Sequence, residues 1–66
     1  MNSLIQNYIN GNLTDAKRQA KRYSLAAIAT ALESAGFKPY SAATCAMYLK
    51  GKASFQAACD AEARKE

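Results

Sequence analysis

Three glycines divide this chain, and each follows a stretch with the spacing of a helix. Gly11 follows SLIQNYIN, Gly36 follows LAAIATALESA and Gly51 follows AATCAMYLK. Glycine adopts the left-handed backbone conformation without steric cost, so it commonly occupies the first position beyond a helix. The pattern is strongest at Gly36, because Phe37 and Leu32 stand where two apolar side chains meet in a Schellman motif. The glycines therefore predict a series of short helices.

Three serines mark the expected starts of these helices. Ser24, Ser41 and Ser54 each precede an apolar or alanine-rich stretch. A serine hydroxyl in this position accepts a hydrogen bond from an exposed amide of the first helical turn. We therefore expect one helix over 25–35, another over 41–50 and a last one after Ser54.

Alanine dominates the apolar content of the sequence. It accounts for 15 of the 66 residues, whereas valine and tryptophan are absent and only six residues are isoleucine or threonine. Alanine favours helices, and so few β-branched residues do not support a sheet. A chain of this length forms one domain. The sequence thus predicts a single all-α domain over residues 1–66, a compact bundle of four to five short helices with a thin core.

The chain carries few reactive side chains. Histidine is absent, so the commonest general base and the commonest metal ligand are both missing. The five Asp and Glu residues are scattered, and the glycines stand too far apart for a phosphate-binding loop. We therefore expect no catalytic site, no metal site and no cofactor, and we expect the protein to act by binding.

Cys45 and Cys59 are the two cysteines of the chain. The simplest interpretation is that both thiols pack as small core residues, with a disulfide between them as the alternative. Phe55 and Cys59 stand one turn apart, so we expect them to dock the last helix. The stretch MNSLIQNYING lacks the features of a signal peptide, which favours the cytoplasm. No membrane span is expected, because the longest uncharged stretches reach about half of the ~20 residues required.

The positive charge of the chain is concentrated in a few places. Nine Lys and Arg against five Asp and Glu give a net charge of +4. A helical wheel of residues 13–23 places four cations opposite an apolar side, and these are Lys17, Arg18, Lys21 and Arg22. Residues 36–52 contain no acid, and their lysines are Lys38, Lys50 and Lys52. Either a kink at Ser24 separates the basic segment from the next helix, or one long helix runs through both.

These seven cations are the candidate residues for binding a partner or phosphate groups. Non-specific phosphate binding would use residues 17–22. A helix-turn-helix motif would use residues 25–35 as its first helix and residues 41–50 as its recognition helix. However, the connection GFKPY is longer than the usual turn, and SAATCAMYLK offers no Arg, Asn or Gln to base edges before Lys50.

Docking on a protein partner is the third hypothesis. Arg and Tyr are enriched among the residues that dominate interface affinity. Tyr8 and Tyr48 are the candidate aromatic anchors, because Tyr23 and Tyr40 precede serines and are expected to pack against the helices that follow. Homodimer formation is a further expectation, because it would add stability to a domain with so small a core.

At NLTDAKRQAKRYSL and YLKGKASFQAACDAE the chain resembles small uncharacterised accessory proteins of bacterial plasmids and phages, over about residues 10–62. The resemblance implies a bacterial cytoplasm and an accessory role on a mobile element, and it transfers no site residue. Such proteins often bind and modulate a host or phage machine, including host-defence systems. The prediction is therefore a non-enzymatic binding protein that docks on a host or phage protein or nucleoprotein complex through a basic helical face. The alternative is a helix-turn-helix DNA-binding regulator.

Overall fold

Residues 1–64 are described by the computed structural model, and they form five α-helices joined by short turns. In chain order the helices are α1 (Asn2–Ile9), α2 (Leu13–Ala20), α3 (Leu25–Ser34), α4 (Pro39–Leu49) and α5 (Phe55–Ala63). The described residues contain no strand. The predicted all-α bundle of four to five short helices is confirmed.

The glycines end helices as predicted. Gly36 has a φ of 109°, and Gly11 and Gly51 also have positive φ. Beyond α3, the Gly36 amide donates to the Glu33 carbonyl at 3.0 Å and the Phe37 amide donates to the Leu32 carbonyl at 3.1 Å. These two bonds define a Schellman motif, and Leu32 and Phe37 are both buried.

Two of the three serines cap helices as predicted. The hydroxyl of Ser24 accepts a hydrogen bond from the Ala27 amide, and the hydroxyl of Ser54 accepts one from the Ala57 amide, each at 3.1 Å. The chain leaves helical geometry after Ala20 and re-enters it at Leu25. α2 and α3 are therefore separate helices, and the interpretation of a break near Ser24 is confirmed.

The prediction that Ser41 caps a helix is wrong. α4 begins two residues earlier, at Pro39, with Lys38 as its N-cap residue. Proline suits the first helical position, because its missing N–H would have no partner there. Ser41 thus lies inside the first turn, where it is buried and its hydroxyl donates to the backbone carbonyl of Ala61 in α5.

Helix α4 lies at the centre of the bundle. It packs against α3 and α5 and also contacts α2, whereas α1 packs on α2 and contacts α3. Seven of its eleven residues are buried, and these are Ser41, Ala42, Thr44, Cys45, Ala46, Tyr48 and Leu49. The radius of gyration is 10.1 Å, close to the ~11 Å expected of a folded domain of this length.

Helix α5 docks through alanines and leaves the predicted anchors in solvent. Ala58 and Ala61 are buried, whereas Phe55 and Cys59 are exposed. The expectation that both thiols lie in the core is therefore wrong for Cys59, which does not dock the helix. Phe55 meets Tyr48 of α4 at the surface, so it does not dock the helix as a core residue. Cys45 is buried, and no disulfide joins it to Cys59.

None of the helices within residues 1–64 has the length and apolar character needed to cross a membrane.

Candidate basic interface

A cleft of about 340 Å³ opens between α2 and the C-terminal end of α4. Its lining consists of Lys17, Lys21, Leu49, Lys50 and Gly51. Three of these residues are lysines, and none of these five is acidic. The cleft therefore concentrates positive charge over an apolar floor, which favours anionic ligands.

The spacing of α2 brings two of the predicted cations into the cleft. Lys17 and Lys21 stand four residues apart, so they project from the same side of the helix. Both side chains are exposed. The ammonium of Lys17 lies 4.4 Å from the centroid of the Tyr48 ring, a cation–π contact that positions it beside α4.

Lys50 reaches the cleft from the end of α4 and also stabilises the fold. Its ammonium donates to the backbone carbonyls of Ala20 at 3.2 Å and Tyr23 at 2.7 Å. These carbonyls lie at the end of α2 and in the turn that follows, where a positive charge is favourable because it complements the helix dipole. Because an ammonium has three N–H donors, one remains for a ligand.

Phe55 extends the site from a third helix. It is the first residue of α5, and 59% of its surface is exposed. Its ring meets the Tyr48 ring edge to face, with 5.7 Å between the centroids and 61° between the planes. The Tyr48 ring thus contacts both an exposed aromatic ring and the Lys17 ammonium. Local sequence does not signal this arrangement, because the helical spacing of Phe55 and Cys59 predicts a core position for the ring.

The other four candidate cations take different positions. Arg18 lies on α2 and forms an exposed salt bridge with Asp15 at 3.2 Å. Arg22 and Lys52 are exposed and directly follow the cleft residues Lys21 and Gly51 in the chain. Lys38 is also exposed, but eleven helical residues, about 16 Å, separate it from Lys50.

We call the set formed by the cleft lysines and their two exposed neighbours the basic face. It consists of Lys17, Lys21, Arg22, Lys50 and Lys52.

The prediction of exposed anchors at Tyr8 and Tyr48 is wrong. Their exposed fractions are 8% and 7%. The Tyr8 hydroxyl donates to Oε1 of Glu62 at 2.7 Å. Burial raises the pKa of Tyr8 well above its ordinary value, and hydrogen bonds with Cys45 and Glu62 raise it further. The exposed tyrosine is Tyr40, at the start of α4.

Helix α4 does not offer a face for reading DNA bases. Its exposed side carries Tyr40 and Ala43, with Met47 half-buried. The helix contains no Arg, Lys, Asn or Gln, the side chains that usually bond to base edges. This burial argues against 41–50 as a recognition helix.

A second depression, of about 590 Å³, lies between α1 and α3. Its lining carries no charged side chain and consists of Asn2, Ile5, Gln6, Ala31, Ser34 and Ala35. Within residues 1–64, no three His, Cys, Asp or Glu side chains come together as metal ligands. The basic face is therefore the strongest candidate for function on this part of the chain.

Comparison of the chain with protein-family models, curated proteins and solved structures gives no match.

Proposed function

We propose that this chain is a non-enzymatic binding protein of a mobile element, a phage or a plasmid. In this proposal it acts in the cytoplasm of the bacterial host by docking its basic face on a host or phage protein or nucleoprotein machine, a host-defence complex included. The observation that carries the proposal is the cleft between α2 and α4, where Lys17, Lys21 and Lys50 converge with no acidic residue in the lining.

Charge of one sign on one surface favours an acidic partner. It accelerates the encounter and orients the two molecules, and it disfavours contact with basic surfaces. The cleft cations come from α2, the residue that follows it and the end of α4, so the fold holds Lys17, Lys21 and Lys50 together at one cleft. Modulation of a larger machine then requires only that the docked protein cover a surface which that machine uses.

Capture from lysate of the bacterial host tests this proposal. The bait is the tagged protein, and the variant Lys17→Glu/Lys21→Glu reverses two exposed charges of the cleft. The matched control is Lys38→Glu, which reverses an exposed charge at the far end of α4. We expect mass spectrometry to identify a partner that the wild type and the control retain and the double variant loses.

Equal capture by all three baits would contradict the proposal, provided that circular dichroism shows the variants to be folded. Sequence-specific binding to duplex DNA that survives the double reversal would instead favour the helix-turn-helix alternative.

A further inference from the structure

The exposed ring of Phe55 and the Lys17 ammonium both contact the Tyr48 ring. The Lys17 ammonium is 4.4 Å from the Tyr48 ring centroid, and that centroid is 5.7 Å from the centroid of Phe55. The ammonium and the Phe55 ring are therefore at most about 10 Å apart. A nucleotide whose phosphate contacts the ammonium and whose base stacks on the ring can bridge a separation of this order.

We propose that the acidic surface recognised by the basic face is single-stranded nucleic acid. In this arrangement Lys17, Lys21 and Lys50 bind phosphates in the cleft, and Phe55 stacks on a base. This inference rests on the proposed function and names the chemistry of the partner. The strand would be a free one or the exposed strand of a nucleoprotein machine.

Two features favour a single strand over a duplex. Proteins that bind single strands combine a positively charged groove with aromatic rings on which bases stack. In a duplex the bases are already stacked on one another, so an aromatic ring at the surface gains no such contact. The buried α4 also offers no polar face for a major groove.

The lysines of the cleft are suited to binding phosphate. All three cations in the cleft lining are lysines. A lysine ammonium is a compact point charge that binds phosphate oxygens without requiring a fixed planar geometry.

Fluorescence anisotropy with three labelled probes tests the proposal on the intact protein. The probes are a short thymidine strand, an abasic strand with the same number of phosphates, and a duplex of the same length. We expect the thymidine strand to bind most tightly. We expect the logarithm of its affinity to fall with the logarithm of salt concentration with a slope of about −0.7 for each phosphate bound.

Two sets of variants separate stacking from charge. Phe55→Ala is expected to weaken binding of the thymidine strand about tenfold and to leave the abasic strand unaffected. Phe55→Leu keeps an apolar contact with Tyr48 but has no aromatic face, so it should behave in the same way. Tyr40→Ala removes an exposed ring at the other end of α4 and is the control.

The charge variant is Lys17→Gln/Lys21→Gln, with Lys38→Gln as its control. We expect the double variant to weaken binding of both strands and to make the salt slope shallower by about 0.7 for each phosphate that is no longer bound. The control should change neither quantity, because Lys38 lies outside the cleft.

Equal affinity for the thymidine and abasic strands would overturn the inference, as would tighter binding of the duplex or unchanged affinity in both Phe55 variants. If no probe binds while capture of a protein still depends on Lys17 and Lys21, the inference fails and the proposed function stands. If capture does not depend on these lysines either, the proposed function fails as well.

Discussion

At the scale of single residues, Gly36 shows how the backbone alone fixes a helix end. Its φ is 109°, and a Cβ built there would meet no neighbouring atom within 4 Å. Any cost of a side chain at this position therefore comes from backbone strain. We expect Gly36→Ala to lower the free energy of unfolding by about 1–2 kcal/mol. Urea denaturation measures this change, and Ser34→Ala on the exposed last turn of α3 should stay within about 0.5 kcal/mol.

Tyr8 gives a prediction at alkaline pH. Its pKa is raised, mainly by burial, so the folded state keeps a proton that the unfolded state loses near pH 10. The free energy of unfolding therefore falls as the pH rises above about 10, by up to about 1.4 kcal/mol per pH unit.

The variant Tyr8→Phe isolates this effect. At neutral pH it should be less stable than the wild type by about 1–3 kcal/mol, because Glu62 no longer has its buried hydrogen-bond donor. Above pH 10 the difference should shrink. Denaturation curves at several pH values test this, and a constant difference would show that Tyr8 does not titrate with folding.

The same residue shows what local sequence cannot reveal. The partner of Tyr8 is Glu62, 54 positions away in the chain. Nothing near either residue indicates that α1 and α5 bring them together, so local reasoning predicts an exposed Tyr8. For Phe55 the error runs in the opposite direction, because the core position expected for its ring is taken by the smaller Ala58 and Ala61.

At the scale of helices, local sequence signals predict that a helix exists better than they predict the residue at which it starts. The hydroxyls of Ser24 and Ser54 bond to first-turn amides, as the local pattern predicts. Around Ser41 two signals compete, and Pro39 begins the helix while the serine hydroxyl binds a carbonyl of α5. Choosing between them requires knowing that α5 packs there, which is tertiary information.

Lys50 links two helices and yields the prediction for this scale. Its ammonium bonds to the carbonyl of Ala20 at the end of α2 and to that of Tyr23 in the following turn, and Lys50→Met keeps most of the stem but removes the donors. We expect the free energy of unfolding to fall by about 1–3 kcal/mol. Lys52→Met, at an exposed position, should change it by less than about 0.5 kcal/mol. Equal stability of the two variants in urea would show that Lys50 does not hold α2 on α4.

At the scale of the whole molecule, the candidate site is assembled from three helices. The pairing of Lys17 with Lys21 is predictable from the sequence, because the two residues follow a local helical spacing. The rest of the site is not, because the packing of α4 on α2 brings Lys50 to the cleft and the packing of α5 on α4 brings the Phe55 ring against Tyr48. Self-association of the chain, which a thin core favours, stays a prediction, and a sedimentation mass above 7.1 kDa would support it.

The stability of the whole chain offers a readout of binding. A chain of 66 residues unfolds with a free energy of about 3–10 kcal/mol, so a ligand that binds only the folded state changes it measurably. A free thymidine strand at ten times its dissociation constant should add about 1.4 kcal/mol and raise the melting temperature by about 6–11 °C. Differential scanning fluorimetry measures this shift.

The charge and stacking variants should respond differently in the same assay. The variant Lys17→Gln/Lys21→Gln should show little shift with either strand, because phosphate binding supplies most of the affinity. Phe55→Ala should abolish the difference between the thymidine and abasic strands but keep the smaller shift that phosphates alone produce. A full thymidine shift in both variants would place the ligand elsewhere on the molecule, because these side chains supply two of the three cations of the cleft and the exposed Phe55 ring.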